Sequence, residues 1–152
     1  MFRPSVGSLL ASPGVQNLDM QTNRITGKRI LLVEDERVVR EALRQFLSLD
    51  AHEVVEANNG AEAFALFRTG QFDLVLTDFE MPFVKGNELA SRIKKLAPRQ
   101  PILMITAYSH RPSPENPVDA VVRKPFDATN LRQVMAKLLP EPAENDTTVL
   151  AR

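Results

Sequence analysis

The chain has no cysteine, which excludes a disulfide framework and any thiolate metal site. It has no excess of charge of either sign, since 19 basic residues face 19 acidic ones. A nucleic-acid binder needs a basic face to neutralise phosphates, so that class is set aside. No apolar run approaches the roughly 20 residues that a membrane-spanning helix needs. The early stretch "VGSLLAS" is short and soon interrupted by Pro13 and Gly14, so it does not read as a secretion signal. There is no His/Cys cluster for a soft transition metal. No glycine-rich phosphate loop is present, so a bound nucleotide is not indicated. The composition thus points to a soluble, cytoplasmic protein with neither nucleic acid nor membrane as partner.

What is there fits one domain. The 152 residues, 43% of them hydrophobic, suffice for a single ordinary core. Residues 1–27 are rich in Ser, Gly, Pro, Asn and Gln and read as a flexible arm, within which Met20 offers an alternative start. Residues 140–152, "PEPAENDTTVLAR", read as a disordered tail.

Between the two ends, strand and helix patterns alternate. "RILLV" at 29–33, "HEVVEA" at 52–57, "FDLVLTD" at 72–78, "PILMIT" at 101–106 and "DAVVR" at 119–123 read as strands. Helical spacing joins Val39, Ala42, Leu43, Phe46 and Leu47. A second helix, after Asn58-Asn59-Gly60, carries Ala61, Phe64, Ala65 and Phe67. A third opens at Gly86-Asn87, carries Leu89, Ile93 and Leu96, and is stopped by Pro98. Asp127 is suited to cap a last helix carrying Leu131, Val134, Met135 and Leu138. Apolar strands alternating with helices imply an α/β fold with a parallel sheet covered on both faces. Five strands fit the flavodoxin-like doubly wound order 2-1-3-4-5, which binds ligands beyond the carboxyl ends of strands 1 and 3.

Polar residues collect at those ends: Glu34 and Asp35 after strand 1, Asp78 at strand 3, Thr106 at strand 4 and Lys124 after strand 5. Two carboxylates about 4 Å apart at an effective dielectric near 20 repel by about 4 kcal/mol. Lys124 supplies one positive charge against three negative ones, and a hard divalent cation suits the deficit. Mg²⁺ is the first candidate, because it takes few carboxylates and keeps positions open for phosphate oxygens. A carboxylate, a cation, a hydroxyl and an ammonium around one pocket suggest phosphoryl transfer to a carboxylate. Taken singly, each residue also has a plain role: a cap, a helix-terminal charge, a strand-end hydroxyl, a surface lysine. Four matched groups at one sheet edge favour a site.

With these residues placed, the chain resembles the receiver domain of bacterial two-component response regulators, of the stand-alone, chemotaxis-regulator-like type. The matching pieces are "ILLVEDE", "DLVLTDFEMPFVKG", "PILMITA" and "VVRKPF", within about residues 28–139. The resemblance implies that Asp78 is the phosphoacceptor, served by a sensor histidine kinase or a phosphotransfer protein. It implies Mg²⁺ bound by Asp35, Asp78 and the Glu80 backbone carbonyl, with Glu34 acting through water. Lys124 would pair with the phosphoryl group and Thr106 would hydrogen-bond it. Met81, Pro82 and Gly86 match the loop after the acceptor, and Pro125 matches a proline usually preceded by a cis bond. Glu80 and Tyr108 take the positions flanking the attacking water. Such a protein is no enzyme in the usual sense, signals by protein contact to a downstream partner, and is expected as a monomer or weak dimer.

Two features depart from the family pattern. Val121 stands where Tyr or Phe is usual three residues before the lysine. Only 17 residues separate Thr106 from Lys124, a few fewer than usual, and Pro112, Pro114 and Pro117 lie among them. Proline costs a helix interior about 3 kcal/mol. Tyr108–Val118 is therefore expected as a mostly extended connection with at most one helical turn, in place of the fourth helix. Two other functions stay open: a pseudo-receiver that binds partners without phosphorylation, and an Asp-nucleophile phosphatase. The latter needs a second Asp two residues after the first, where Glu80 stands.

Overall fold

The computed structural model describes residues 25–140. The expected arm up to residue 24 and tail from residue 141 lie outside them. Five strands form: β1 (Arg29–Val33), β2 (Glu53–Ala57), β3 (Leu74–Asp78), β4 (Ile102–Thr106) and β5 (Ala120–Arg123). Four helices connect or follow them: α1 (Arg37–Leu49), α2 (Gly60–Thr69), α3 (Gly86–Leu96) and α4 (Ala128–Leu138). All strands are parallel, in the order β2-β1-β3-β4-β5, which is the flavodoxin-like order expected from the sequence.

Burial on both sheet faces explains the continuous apolar runs. Successive strand side chains alternate between faces, so each central strand feeds two cores. Leu31, Val33, Val75, Ile102 and Met104 pack with Ala63 and Phe67 of α2 and with Leu89, Ala90 and Ile93 of α3. Ile30, Leu32, Leu74, Leu76, Leu103 and Ile105 pack with Leu43 and Leu47 of α1 and with Leu131 and Met135 of α4. Each such side chain contributes about 1.5–3 kcal/mol on burial. Ile25 joins the second core.

Local chemistry sets the helix starts. The Asn59 side chain accepts from the Glu62 N–H at 2.7 Å, and the Glu62 carboxylate accepts from the Asn58 N–H at 2.7 Å. Two otherwise orphaned donors are thus satisfied reciprocally. Asp127 caps α4 as expected, accepting from the Asn130 N–H at 2.7 Å.

The β4–β5 connection holds no helix among the described residues. It is tied down by side chains instead. Asn116, only 7% exposed, donates from Nδ2 to the Arg111 carbonyl at 2.9 Å. Its backbone exchanges two hydrogen bonds with Ser113, and Asn87 of α3 donates to the Glu115 carbonyl at 3.2 Å. No helix among the described residues is long and apolar enough to cross a membrane.

Candidate functional site

The sheet register brings the strand ends together. Val33 lies opposite Thr77, Asp78 opposite Ile105, and Thr106 opposite Arg123. Glu34, Asp78, Thr106 and Lys124 therefore fall side by side at one edge. Glu34, Asp35 and Asp78 offer carboxylate oxygens that all lie within 4.8 Å of one another. Glu34, Asp78 and Thr106 are buried. The Lys124 Nζ stands 3.5 Å from Asp78 Oδ1 and 3.7 Å from Glu34 Oε1. Its backbone N–H donates to the Thr106 carbonyl at 2.8 Å, which locks the two strand ends to each other. The Lys124–Pro125 peptide is cis.

Surrounding residues fix these groups. Arg40 donates from Nη1 to the Glu34 carbonyl at 2.9 Å and pairs with Glu56 at 3.2 Å. The Thr106 hydroxyl accepts from the Tyr108 N–H at 3.2 Å. After Asp78 the chain turns sharply into α3, and the Gly86 N–H donates to the Phe79 carbonyl at 2.9 Å. A Cβ on Gly86 would lie 2.2 Å from the Asp78 carbonyl oxygen, so only glycine lets helix and strand end meet this closely.

Burial governs the electrostatics. It pushes the Glu34 carboxyl up to about 8, with the Asp78 charge adding to the rise and Lys124 opposing it. Burial also raises Asp78, against the pull of Lys124, of a hydrogen bond from Glu34 and of the Phe79 N–H. Glu34 and Asp78 thus share one ammonium, and the Glu34 Oε1 is buried with no hydrogen-bond partner. That donor set fits a hard divalent cation: all-oxygen, multiply anionic, with an oxygen left unsatisfied by the protein. Among the described residues it is the one cluster of three or more potential metal ligands.

Five of the sequence-predicted site residues, Glu34, Asp35, Asp78, Thr106 and Lys124, meet at this edge. Glu80 lies two residues beyond β3, and its exposed side chain turns to Lys85 at 3.2 Å. Val121 is partly buried against the first core. Two participants escaped the sequence reading. Arg40 bonds a backbone carbonyl, which leaves no motif. Phe79, next to Asp78, stacks on His110 with centroids 3.6 Å apart and planes 21° apart, a pairing between residues far apart in sequence that no local pattern announces.

Comparison with known proteins agrees with this fold. Residues 30–136 match the family model described as the response regulator receiver domain. CpdR of Brucella abortus, a response regulator receiver protein, is 36% identical over 116 residues, covering 74% of this chain and 97% of CpdR. FleR of Pseudomonas aeruginosa is 34% identical over 116 residues, covering 72% of this chain but only 24% of FleR. The chain thus spans about a quarter of that regulator's length. Among solved structures, TrrA of Thermotoga maritima, in complex with Mg²⁺-BeF, is 40% identical with a TM-score of 0.69, covering 74% of this chain and 99% of TrrA.

Proposed function

The chain belongs to the response regulator receiver family, and we propose that within it Asp78 accepts a phosphoryl group from a histidine kinase or phosphotransfer protein. The observation that carries this reading is the Lys124 ammonium 3.5 Å from Asp78 Oδ1, where Asp78 belongs to a cluster of three carboxylates. An Asp78 oxygen attacks phosphorus, the P–O bond forms, and the P–N bond to the donor imidazole breaks. The imidazole leaves with the electron pair and is protonated.

Transfer brings an anionic group onto an already anionic edge. Lys124 offsets part of that charge, as positioned cations do for phosphoryl oxygens. Thr106 then turns its hydroxyl from the Tyr108 N–H toward a phosphoryl oxygen. Asp35, Asp78 and the Glu80 carbonyl would hold Mg²⁺, with Glu34 acting through water, and the ion would supply the remaining charge neutralisation. On this reading the protein acts as a phosphoacceptor rather than an enzyme with turnover. The signal passes on by protein contact, because the changed groups lie at the foot of the β4–β5 connection.

The test is labelling of the full chain with a small phosphoramidate donor and Mg²⁺. Wild type should take one acid-stable, base-labile phosphoryl group, and Asp78→Asn should take none. Equal labelling of the variant would overturn the acceptor assignment. Absence of label in wild type would favour a receiver that binds partners without phosphorylation.

A further inference from the structure

A titratable ring is buried at the end of the sheet opposite the carboxylates. Helix α1 closes with the Ala51 N–H donating to the Ser48 carbonyl at 3.0 Å and the His52 N–H donating to the Leu47 carbonyl at 3.3 Å. This paired closure reverses the chain through a left-handed residue, a place that glycine usually takes. Here Ala51 takes it, with φ of +61°. The turn sets His52 inward, only 6% exposed, and β2 begins at the next residue.

The His52 ring faces the entry to β1. Its Nδ1 accepts from the Lys28 N–H at 3.0 Å, so the neutral ring has its proton on Nε2. That nitrogen is buried with no hydrogen-bond partner among the described residues. Residues 25–28 lead the chain into β1 and are tied at the same place. The Gly27 N–H donates to the Asp50 carbonyl at 3.3 Å, and Ile25 lies in the second core. We propose that His52 is an acid-sensitive latch on this segment: a proton on Nδ1 breaks the bond to Lys28 and frees residues 25–28 from the sheet, independently of the Asp78 edge.

Protonation can act in one direction only. A proton from solvent adds to the Nδ1 lone pair, and the imidazolium then donates from both nitrogens. Its Nδ1–H meets the Lys28 N–H, donor against donor, and its Nε2–H still finds no acceptor. The charged groups around the ring do not compensate. Asp50, in the turn after α1, favours the cation, but Arg132 of α4 already grips its carboxylate through bonds of 2.7 and 3.1 Å. Asp73, just ahead of β3, also favours it, but accepts from the Arg29 N–H at 2.8 Å. Lys28 opposes it. Burial is the largest influence and holds the ring below its ordinary 6.5. The closed latch thus excludes a proton that the open one accepts, so acid favours opening.

Hydrogen exchange of single backbone amides in the full chain, in chelator and without phosphodonor, tests the latch. The Lys28 N–H is the reporter. The Val75 N–H, which donates to the Pro101 carbonyl at 3.0 Å in the central sheet, is the reference. From pH 7.5 to 5.5 the protection of Lys28, corrected for intrinsic rate, should fall by about 3- to 10-fold; about 10-fold is the ceiling for a group that titrates near 6.5 when open. Val75 should not fall, because the proton held at Glu34 stabilises the whole fold toward acid. His52→Asn puts an amide oxygen in the place of Nδ1 and takes no proton, so its Lys28 protection should stay within about 2-fold over the same range. Ring nitrogen shifts of wild type, which need no variant, should show Nδ1 as the nitrogen without a proton at pH 7.5. The inference is overturned by Lys28 protection that holds or rises toward acid, by a fall matched at Val75, by an equal fall in His52→Asn, or by a proton on Nδ1 at pH 7.5. No step involves Asp78, so these outcomes are independent of the phosphoacceptor reading.

Discussion

Replacing Glu34 by Gln removes one titratable carboxyl from the carboxylate cluster while keeping its size. Burial and Asp78 hold the Glu34 carboxyl at about 8, against an ordinary 4.5. The folded protein therefore keeps a proton that the unfolded chain releases. Stability must fall as pH rises, since the folded state binds more protons across that window. The stabilising contribution is complete below the unfolded value and lost as pH rises through the folded one. One bound proton is worth about 1.4 kcal/mol for every step of one in pH, so between pH 5.5 and 7.5 the fall is at most about 3 kcal/mol from this group. Asp78 is raised as well and acts in the same direction. Urea unfolding in chelator at those two pH values reads this directly. Wild type should lose about 2–3 kcal/mol, and Glu34→Gln less than half of that. Saturating Mg²⁺ should flatten the wild-type slope, because an ion bound to ionised carboxylates stabilises only the folded state. Equal slopes for wild type and variant in chelator would refute the charge-crowding account of this site.

Two other substitutions probe how the site is framed. Gly86→Ala places a methyl 2.2 Å from the Asp78 carbonyl oxygen and 2.9 Å from the Phe79 Cα. Both obstacles are backbone, so the cost should reach about 3 kcal/mol, seen as a clear drop in melting temperature together with loss of phosphoacceptance; an unchanged melting temperature would contradict the tight helix–strand contact. Arg132→Met removes the guanidinium that grips Asp50 through two bonds of 2.7 and 3.1 Å. Asp50 is only 4% exposed, and breaking a buried pair from one side costs about 3–5 kcal/mol. With a quarter of the Arg132 side chain in solvent, about 2 kcal/mol by chemical denaturation is expected. Asp50→Asn in the same chain should recover part of it.

The sheet and the clustering of the candidate site's residues were legible for one reason: a parallel strand announces itself by apolar residues and ends where polarity begins. Glu34, Asp78, Thr106 and Lys124 each sit at such an end, and register alone makes them neighbours. Helix faces were legible to within a residue or two. In α2 the buried alanine is Ala63 rather than Ala61 or Ala65, and in α3 Leu96 is 57% exposed although it keeps the apolar spacing. Proline density located the missing helix, because proline removes donors and clashes with the preceding turn. What replaced the helix was not legible, since irregular chain has no period to read. Nor does any motif foretell Phe83. It takes φ of +69° and stands 91% exposed, with the Val84 N–H closing a γ-turn on the Pro82 carbonyl at 2.8 Å.

The lost helix sharpens what the proposed phosphate pocket requires. Thr106 and Lys124 are set by β4 and β5, and the 2.8 Å bond from the Lys124 N–H to the Thr106 carbonyl joins them directly. The pocket can therefore dispense with everything between them. A helix, however, orders its residues as one cooperative unit. Here separate point contacts take its place, Asn116 for the far half and His110 for the near half, each contributing on the order of 1 kcal/mol. Contacts of that size yield one at a time. The proposed phosphorylation of Asp78, acting through Thr106, should therefore move Tyr108–Arg111 before Ser113–Val118, and hydrogen exchange that rises equally in both halves on labelling would refute this.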